Sequence, residues 1–238
     1  MTTFVLVHGA WHGGWCWRRV ADRLRAGGHD VFTPTLTGLA ERSHLLSPTV
    51  NLQTHILDIA NLLEWEDLED VVLCGHSYGG MVITGAADRQ SARVKALVYV
   101  DAFVPADGEC AMDSRPPDRV KLAYEQVRTV GEGWWMPPTP AASFRVNEAD
   151  QAWVDAKCTN FPIACFTQRV HLSGAVEAIS PKYYIRAAGY KAPQFDACVE
   201  RLTGAPGWTV SEMPCGHDIM VDMPNELASL FQVAGRQA

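Results

Sequence analysis

The sequence predicts an α/β fold, a mostly parallel central sheet with helices on both faces. Short apolar runs alternate with longer stretches of helical periodicity through the first part of the chain, and the same alternation returns near its end. The composition agrees: 238 residues, 47% hydrophobic and 20% charged, suit a chain that buries a large sheet and exclude a disordered one.

Residues 3–8 (TFVLVH) form an apolar run bounded by polar residues and read as a buried strand. Residues 15–26 read as a helix stopped by Gly27-Gly28, and 30–33 as a short strand closed by Pro34. Over 52–65, Ile56, Ile59, Leu62 and Leu63 recur at helical spacing. Residues 70–74 (DVVLC) are a strand, 78–89 a helix, and 95–100 (KALVYV) a strand that closes on Asp101. From about 105 to 180 the alternation stops. This stretch is rich in proline and aromatic residues, with helical patterns at 120–130 and 147–157. It reads as a helical cap inserted into a single domain spanning 1–238, set over the sheet edge where parallel sheets bind ligands. The pattern resumes with a strand at 182–187, a helix at 194–202 and a strand at 208–213, and Pro224 opens a closing helix over 225–233.

The net charge of −7 disfavours nucleic acid and anionic membranes as partners. Seven cysteines, an odd number with no C-x-x-C pair, suit reduced thiols buried as small hydrophobes. The N-terminus lacks a basic, signal-like start, and no apolar run reaches membrane-spanning length, so the expectation is a cytoplasmic protein.

Gly75-His76-Ser77-Tyr78-Gly79-Gly80 matches G-x-S-x-G, and it lies between an apolar strand and a helical segment, the context that gives this motif meaning. A sharp strand-to-helix turn crowds its neighbours, so residues without a Cβ stand at Gly75 and Gly79. The turn lifts the Ser77 hydroxyl above the sheet as a candidate nucleophile. It also sets the Tyr78 N–H at a helix start, where an anion is favoured. The loop after the first strand, His8-Gly9-Ala10-Trp11, offers the second oxyanion donor, Ala10 N–H, with Trp11 as the next choice; losing one such donor costs roughly 3 kcal/mol. Of eight histidines, only His217 follows the last strand and the serine in chain order, so it is the candidate base. His76 points away from the serine on the turn and reads as structural; His8 and His12 shape the first loop, and His171 is structural.

Together HGAWHGGWCW, GHSYGG and the late GHD resemble the α/β-hydrolase superfamily over nearly the whole chain, and more narrowly the plant methylesterase and hydroxynitrile-lyase group with its bacterial esterase relatives. The resemblance implies the α/β-hydrolase fold, a Ser-His-acid triad and a small helical cap; homodimers are common in that group. Two positions depart from it. The lyases carry a threonine in the first loop and a lysine after the catalytic histidine, where this chain has Gly9 and Asp218, so cyanohydrin chemistry is disfavoured. The group's acid follows the penultimate strand, where this chain has Tyr190, and a neutral phenol cannot stabilise an imidazolium as a carboxylate does. Asp101 ends the strand after the elbow helix and would emerge at the active-site edge; some haloalkane dehalogenases, similar in fold, carry their acid there. Asp101 is therefore the favoured acid, and Asp196, inside a helix, the alternative.

The expected activity is that of a serine carboxylesterase working through an acyl-enzyme on a small to medium apolar or aromatic ester, with no metal or organic cofactor. Trp11, Phe103, Trp134 and Trp135 are the candidate substrate-lining residues, with Tyr78 beside them. A lactonase or thioesterase, a carbon–carbon hydrolase or lyase, and a hydrolase-derived ligand receptor are the alternatives on the same scaffold.

Overall fold

The computed structural model describes residues 1–237. Strand β1 (Thr3–Val7) leads through a 3₁₀ turn (Gly14–Trp17) into α1 (Arg18–Ala26), then β2 (Asp30–Phe32), α2 (Leu52–Trp65), β3 (Val71–His76), α3 (Gly79–Arg89) and β4 (Val94–Val100). The segment that follows holds α4 (Pro117–Thr129), β5 (Trp135–Met136), α5 (Glu148–Asp155), β6 (Phe161–Pro162) and α6 (Ala164–Thr167). The chain then returns as β7 (Lys182–Ala187), α7 (Pro193–Leu202), β8 (Trp208–Met213), α8 (Ile219–Asp222) and α9 (Pro224–Gln237).

Six strands form one sheet in the order β2-β1-β3-β4-β7-β8, every pair parallel. Strands β3 and β7 are buried along their whole length, which explains why they read as near-continuous apolar runs rather than as alternating ones. Burying Val71, Val72 and Leu73 stabilises the fold by about 1.5–3 kcal/mol each. Helix α1 packs against α9, and α2 against α3. A capping box opens α2: Asn51 accepts from the Thr54 N–H while the Thr54 hydroxyl accepts from the Asn51 N–H.

The order of strands fixes where a ligand sits. From β1 the chain moves outward to β2, then returns to the other side as β3, so the C-terminal ends of β1 and β3 flank a crevice. The loop after β1 and the turn after β3 are the two segments that carry the candidate oxyanion donors and nucleophile.

Between β4 and β7, the helical patterns at 120–130 and 147–157 correspond to α4 and α5. The small antiparallel ribbon of β5 and β6 has no counterpart in the sequence reading. Each strand is two residues long and one contains Pro162, so no period-two pattern exists to detect. All seven cysteines are free. Among the described residues no helix is long and apolar enough to cross a membrane.

Candidate active site

Ser77 stands between β3 and α3 with φ +53°, a left-handed conformation that costs of order 1–3 kcal/mol unless the surroundings impose it. They do impose it. Ser77 N–H donates to Val100 O (3.2 Å), and Ser77 O accepts from Phe103 N–H (3.1 Å), so the turn is fastened to the end of β4 on both sides. A Cβ at Gly75 would lie 2.7 Å from Gly79 O, and one at Gly9 would lie 2.9 Å from the Ser77 Cβ. The first loop therefore approaches the serine at a distance only glycine permits. Ala10 and Tyr78 are buried, and neither N–H has a hydrogen-bond partner among the described residues. Those are the two donors expected to face an oxyanion.

Asp101, at the tip of β4, is fully buried and also left-handed, with φ +44°. Its N–H donates to Ile185 O (2.7 Å), which turns the carboxylate back over the sheet edge. His217 Nδ1–H donates to Asp101 Oδ2 at 2.5 Å. The other carboxylate oxygen accepts from Arg186 Nη1 (2.7 Å) and from Ala187 N–H (3.1 Å). Because Nδ1 is engaged as a donor, the imidazole presents Nε2 as its free, basic nitrogen. The ring is held by Phe195 (stacked, 5.5 Å), Tyr190 (4.8 Å) and Phe144 (5.3 Å), and His217 N–H donates to Phe144 O (2.8 Å). Tyr190, standing where the resemblance puts the acid, thus packs on the imidazole instead of accepting from it. No hydrogen bond joins Ser77 Oγ to His217 among the described residues; bonds of this kind often tighten only with substrate bound. Asp196 belongs to α7 and accepts from Arg186 Nη2 (2.8 Å); its side chain is 57% exposed.

A second buried carboxylate lies behind the imidazole. Asp218 Oδ2 accepts from His12 Nε2 (3.0 Å), and His12 Nδ1 lies 2.8 Å from Ala10 O. Both His12 nitrogens face acceptors, so both carry protons and the ring is a cation. Burial works against that charge, but Asp218 by its charge and hydrogen bond, and the Ala10 carbonyl, raise the His12 pKa above the usual histidine value. Burial likewise opposes the Asp218 charge, and His12 outweighs it, with His76 and His217 adding, so Asp218 stays well below the usual carboxylate range. His76 donates through Nε2 to His217 O (3.1 Å), and its Nδ1 has no partner; burial and then the neighbouring His217 drive its pKa well down, so it is neutral. His8 is neutral too: it donates to Gly9 O and accepts from Leu36 N–H, and burial lowers its pKa to about 3.

Two cavities flank this constellation. One, of about 190 Å³, is lined in part by Trp11, Arg115, Phe144, Tyr190 and Gln194. The other, of about 240 Å³, is lined in part by Met81, Phe103, Cys110 and Gln194. The first lies nearer the chemistry, because Phe144 and Tyr190 both touch the His217 ring. Trp11 lines it with φ +66°, its carbonyl pinned by Thr159 N–H (2.9 Å). Trp134 and Trp135 line neither cavity: Trp135 pairs across the ribbon with Pro162, and Trp134 O accepts from Ile163 N–H, which turns this stretch toward its own supersecondary unit. The Tyr78 side chain is buried against His55 (Tyr78 Oη to Nδ1, 3.0 Å), so Tyr78 offers its backbone rather than its ring.

A family model described as the alpha/beta hydrolase family matches residues 4–230. The chain belongs to the α/β-hydrolase family. A carbendazim hydrolyzing esterase from Nocardioides sp. (strain SG-4G) is 44% identical over 99% of this chain and 100% of its own. Salicylic acid-binding protein 2 from Nicotiana tabacum is 33% identical over 55% of this chain and 48% of its own. Among solved structures, an extracellular α/β-hydrolase from a Paenibacillus species superposes with a TM-score of 0.87 at 26% identity, covering 99% of this chain and 100% of that one.

Sequence reasoning missed the roles of four side chains of this α/β-hydrolase. Arg186 is the next-to-last residue of β7, after the apolar Tyr183-Tyr184-Ile185, and a charge following that apolar run was the available signal. The His12–Asp218 pair joins residues more than two hundred positions apart, and the only hint was that both sit beside motif residues. Arg115 precedes two prolines, with nothing in its local pattern to mark it.

Proposed function

We propose that the chain is a serine carboxylesterase in which Ser77 is the nucleophile, His217 the base and Asp101 the acid. The observation that carries this reading is the 2.5 Å bond from His217 Nδ1 to a buried Asp101, which fixes the tautomer and leaves Nε2 free to act as the base. His217 takes the Ser77 proton as the hydroxyl attacks the ester carbonyl, and the oxyanion rests on the N–H groups of Ala10 and Tyr78. The imidazolium, stabilised by Asp101, protonates the leaving alcohol. Water then repeats the sequence on the acyl-enzyme and regenerates Ser77. The full-length similarity to a bacterial esterase supports ester hydrolysis as the reaction class. Trp11, Phe103 and the aromatic side chains around His217 favour an apolar or aromatic ester of modest size, admitted beneath a cap formed by the segment between β4 and β7.

Hydrolysis of a short series of p-nitrophenyl esters tests this. Wild type is expected to turn over at least the shorter members, Ser77→Ala to be inert, and a fluorophosphonate to label wild type at Ser77 alone. Labelling without ester turnover by wild type would overturn the esterase and leave a carbon–carbon hydrolase or a receptor on the same scaffold.

A further inference from the structure

The cavity beside His217 carries a cation with nothing to answer it. Arg115 is half-buried, its guanidinium stacked on the Phe166 ring with Cζ 4.8 Å from the centroid. Among the described residues that guanidinium makes no hydrogen bond and no ion pair, whereas Arg19, Arg42, Arg93, Arg169 and Arg186 each reach a carboxylate. Burial, which penalises its charge most, pulls its pKa down, Arg119 pulls the same way, and Tyr190 pulls the other. Arg119 and Lys191 line the same cavity, and Asp118, the one carboxylate on its wall, forms no ion pair among the described residues. A chain of net charge −7 therefore presents a locally cationic wall next to its base.

Trp11 lines the same cavity and is 7% exposed. Its left-handed backbone is the kind of strain that clusters at ligand sites. A partly desolvated guanidinium donates and cannot accept, so the group that completes it is an oxygen acceptor, and a planar anion answers it best.

We propose that this cavity binds a carboxylate of the substrate through Arg115, so that the preferred esters are half-esters: an ester group at Ser77 and a carboxylate at the far end. This deepens the esterase reading and rests on it. The aromatic lining by Trp11, Phe144 and Tyr190 fits a flat spacer between the two groups.

The test compares monomethyl terephthalate with methyl 4-carbamoylbenzoate, near-isosteric esters that differ in the charge of the remote group, followed by methanol release. Wild type is expected to favour the carboxylate by about ten- to a hundredfold in kcat/KM, expressed mainly in KM. Arg115→Met should bring the ratio to about one, and Arg115→Lys should restore part of it. Equal rates for the two esters in wild type, or a ratio that survives Arg115→Met, would overturn the anion site while leaving the esterase standing. Calorimetry of both compounds on Ser77→Ala separates the two ideas. Charge-selective binding lost on adding Arg115→Met supports the site even if wild type turns over no ester, and binding without charge preference overturns it.

Discussion

Two buried carboxylates flank His217, and their surroundings differ. Asp101 comes from the tip of β4 and accepts from the imidazole Nδ1, with Arg186 and the Ala187 N–H on its other oxygen. Asp218 is the next residue in the chain after His217, yet its partner is His12, from the loop after β1. Each charge is met by its own cation: a guanidinium for Asp101, an imidazolium for Asp218. The difference teaches that nearness in sequence does not choose the carboxylate that meets an imidazole. In the proposed triad Asp101 meets the one ring nitrogen whose engagement leaves the other free to serve Ser77, while Asp218 fastens the loop of His217 to the loop that carries Ala10.

The comparison breaks most sharply at Asp101. Asp101→Asn should fold and lose roughly 10⁴-fold in kcat, because an amide can no longer enforce the productive tautomer; burst kinetics with a p-nitrophenyl ester measure it, and near-full activity would return the role to another group. Arg186→Met comes next. It strands the Asp101 charge in the core, and denaturant unfolding should show a loss of about 3–5 kcal/mol. Asp218→Asn removes the countercharge of His12, which can respond by shedding its proton, so the loss should be smaller, about 1–3 kcal/mol near neutral pH, with kcat reduced far less than in Asp101→Asn.

The pH dependence sharpens that third case. His12 has a folded pKa raised above 6.5, so its contribution is complete below 6.5 and fades as pH rises through the folded value. Asp218 has a folded pKa depressed below 3.8, so its contribution is complete above 3.8 and fades as pH falls through the folded value. The stability gap between wild type and Asp218→Asn should therefore be widest between 3.8 and 6.5 and narrow on the alkaline side. A gap flat with pH would remove the ion pair. The smallest effect belongs to Asp196→Asn, an exposed partner of Arg186, which should cost under about 1 kcal/mol and leave turnover intact; a collapse of activity there would make Asp196 the acid.

Strands β7 and β8 and helix α2 could be read to the residue because each is a compact period bounded by turn or capping residues. The elbow was legible for a similar reason: Gly75, Ser77 and Gly79 are a local solution to a local crowding problem. What surrounds the elbow was less so. Arg186 meets Asp101 only because β4 and β7 pair in a register that brings Val100 opposite Ile185, and nothing in either strand states that register. Trp134 and Trp135, expected as a ligand wall from aromatic residues in a proline-rich stretch, line neither of the two cavities beside His217; Trp135 instead pairs with Pro162 in the β5–β6 ribbon. Local chemistry is written in neighbouring letters; the partners of a buried charge are written in the topology.

Tyr190 stands after β7, at the position a carboxylate holds in the plant group that the chain resembles, and it also walls the cavity with Arg115. In the proposed triad the acid stands on β4, so the loop after β7 does not have to present one. Side chains there that do not touch the imidazole, such as Lys191 and Gln194, would then be replaceable without disarming the base, so selection could rework what the enzyme accepts while the catalytic apparatus stays untouched. An acid on the neighbouring strand would thereby separate the evolution of selectivity from the evolution of rate.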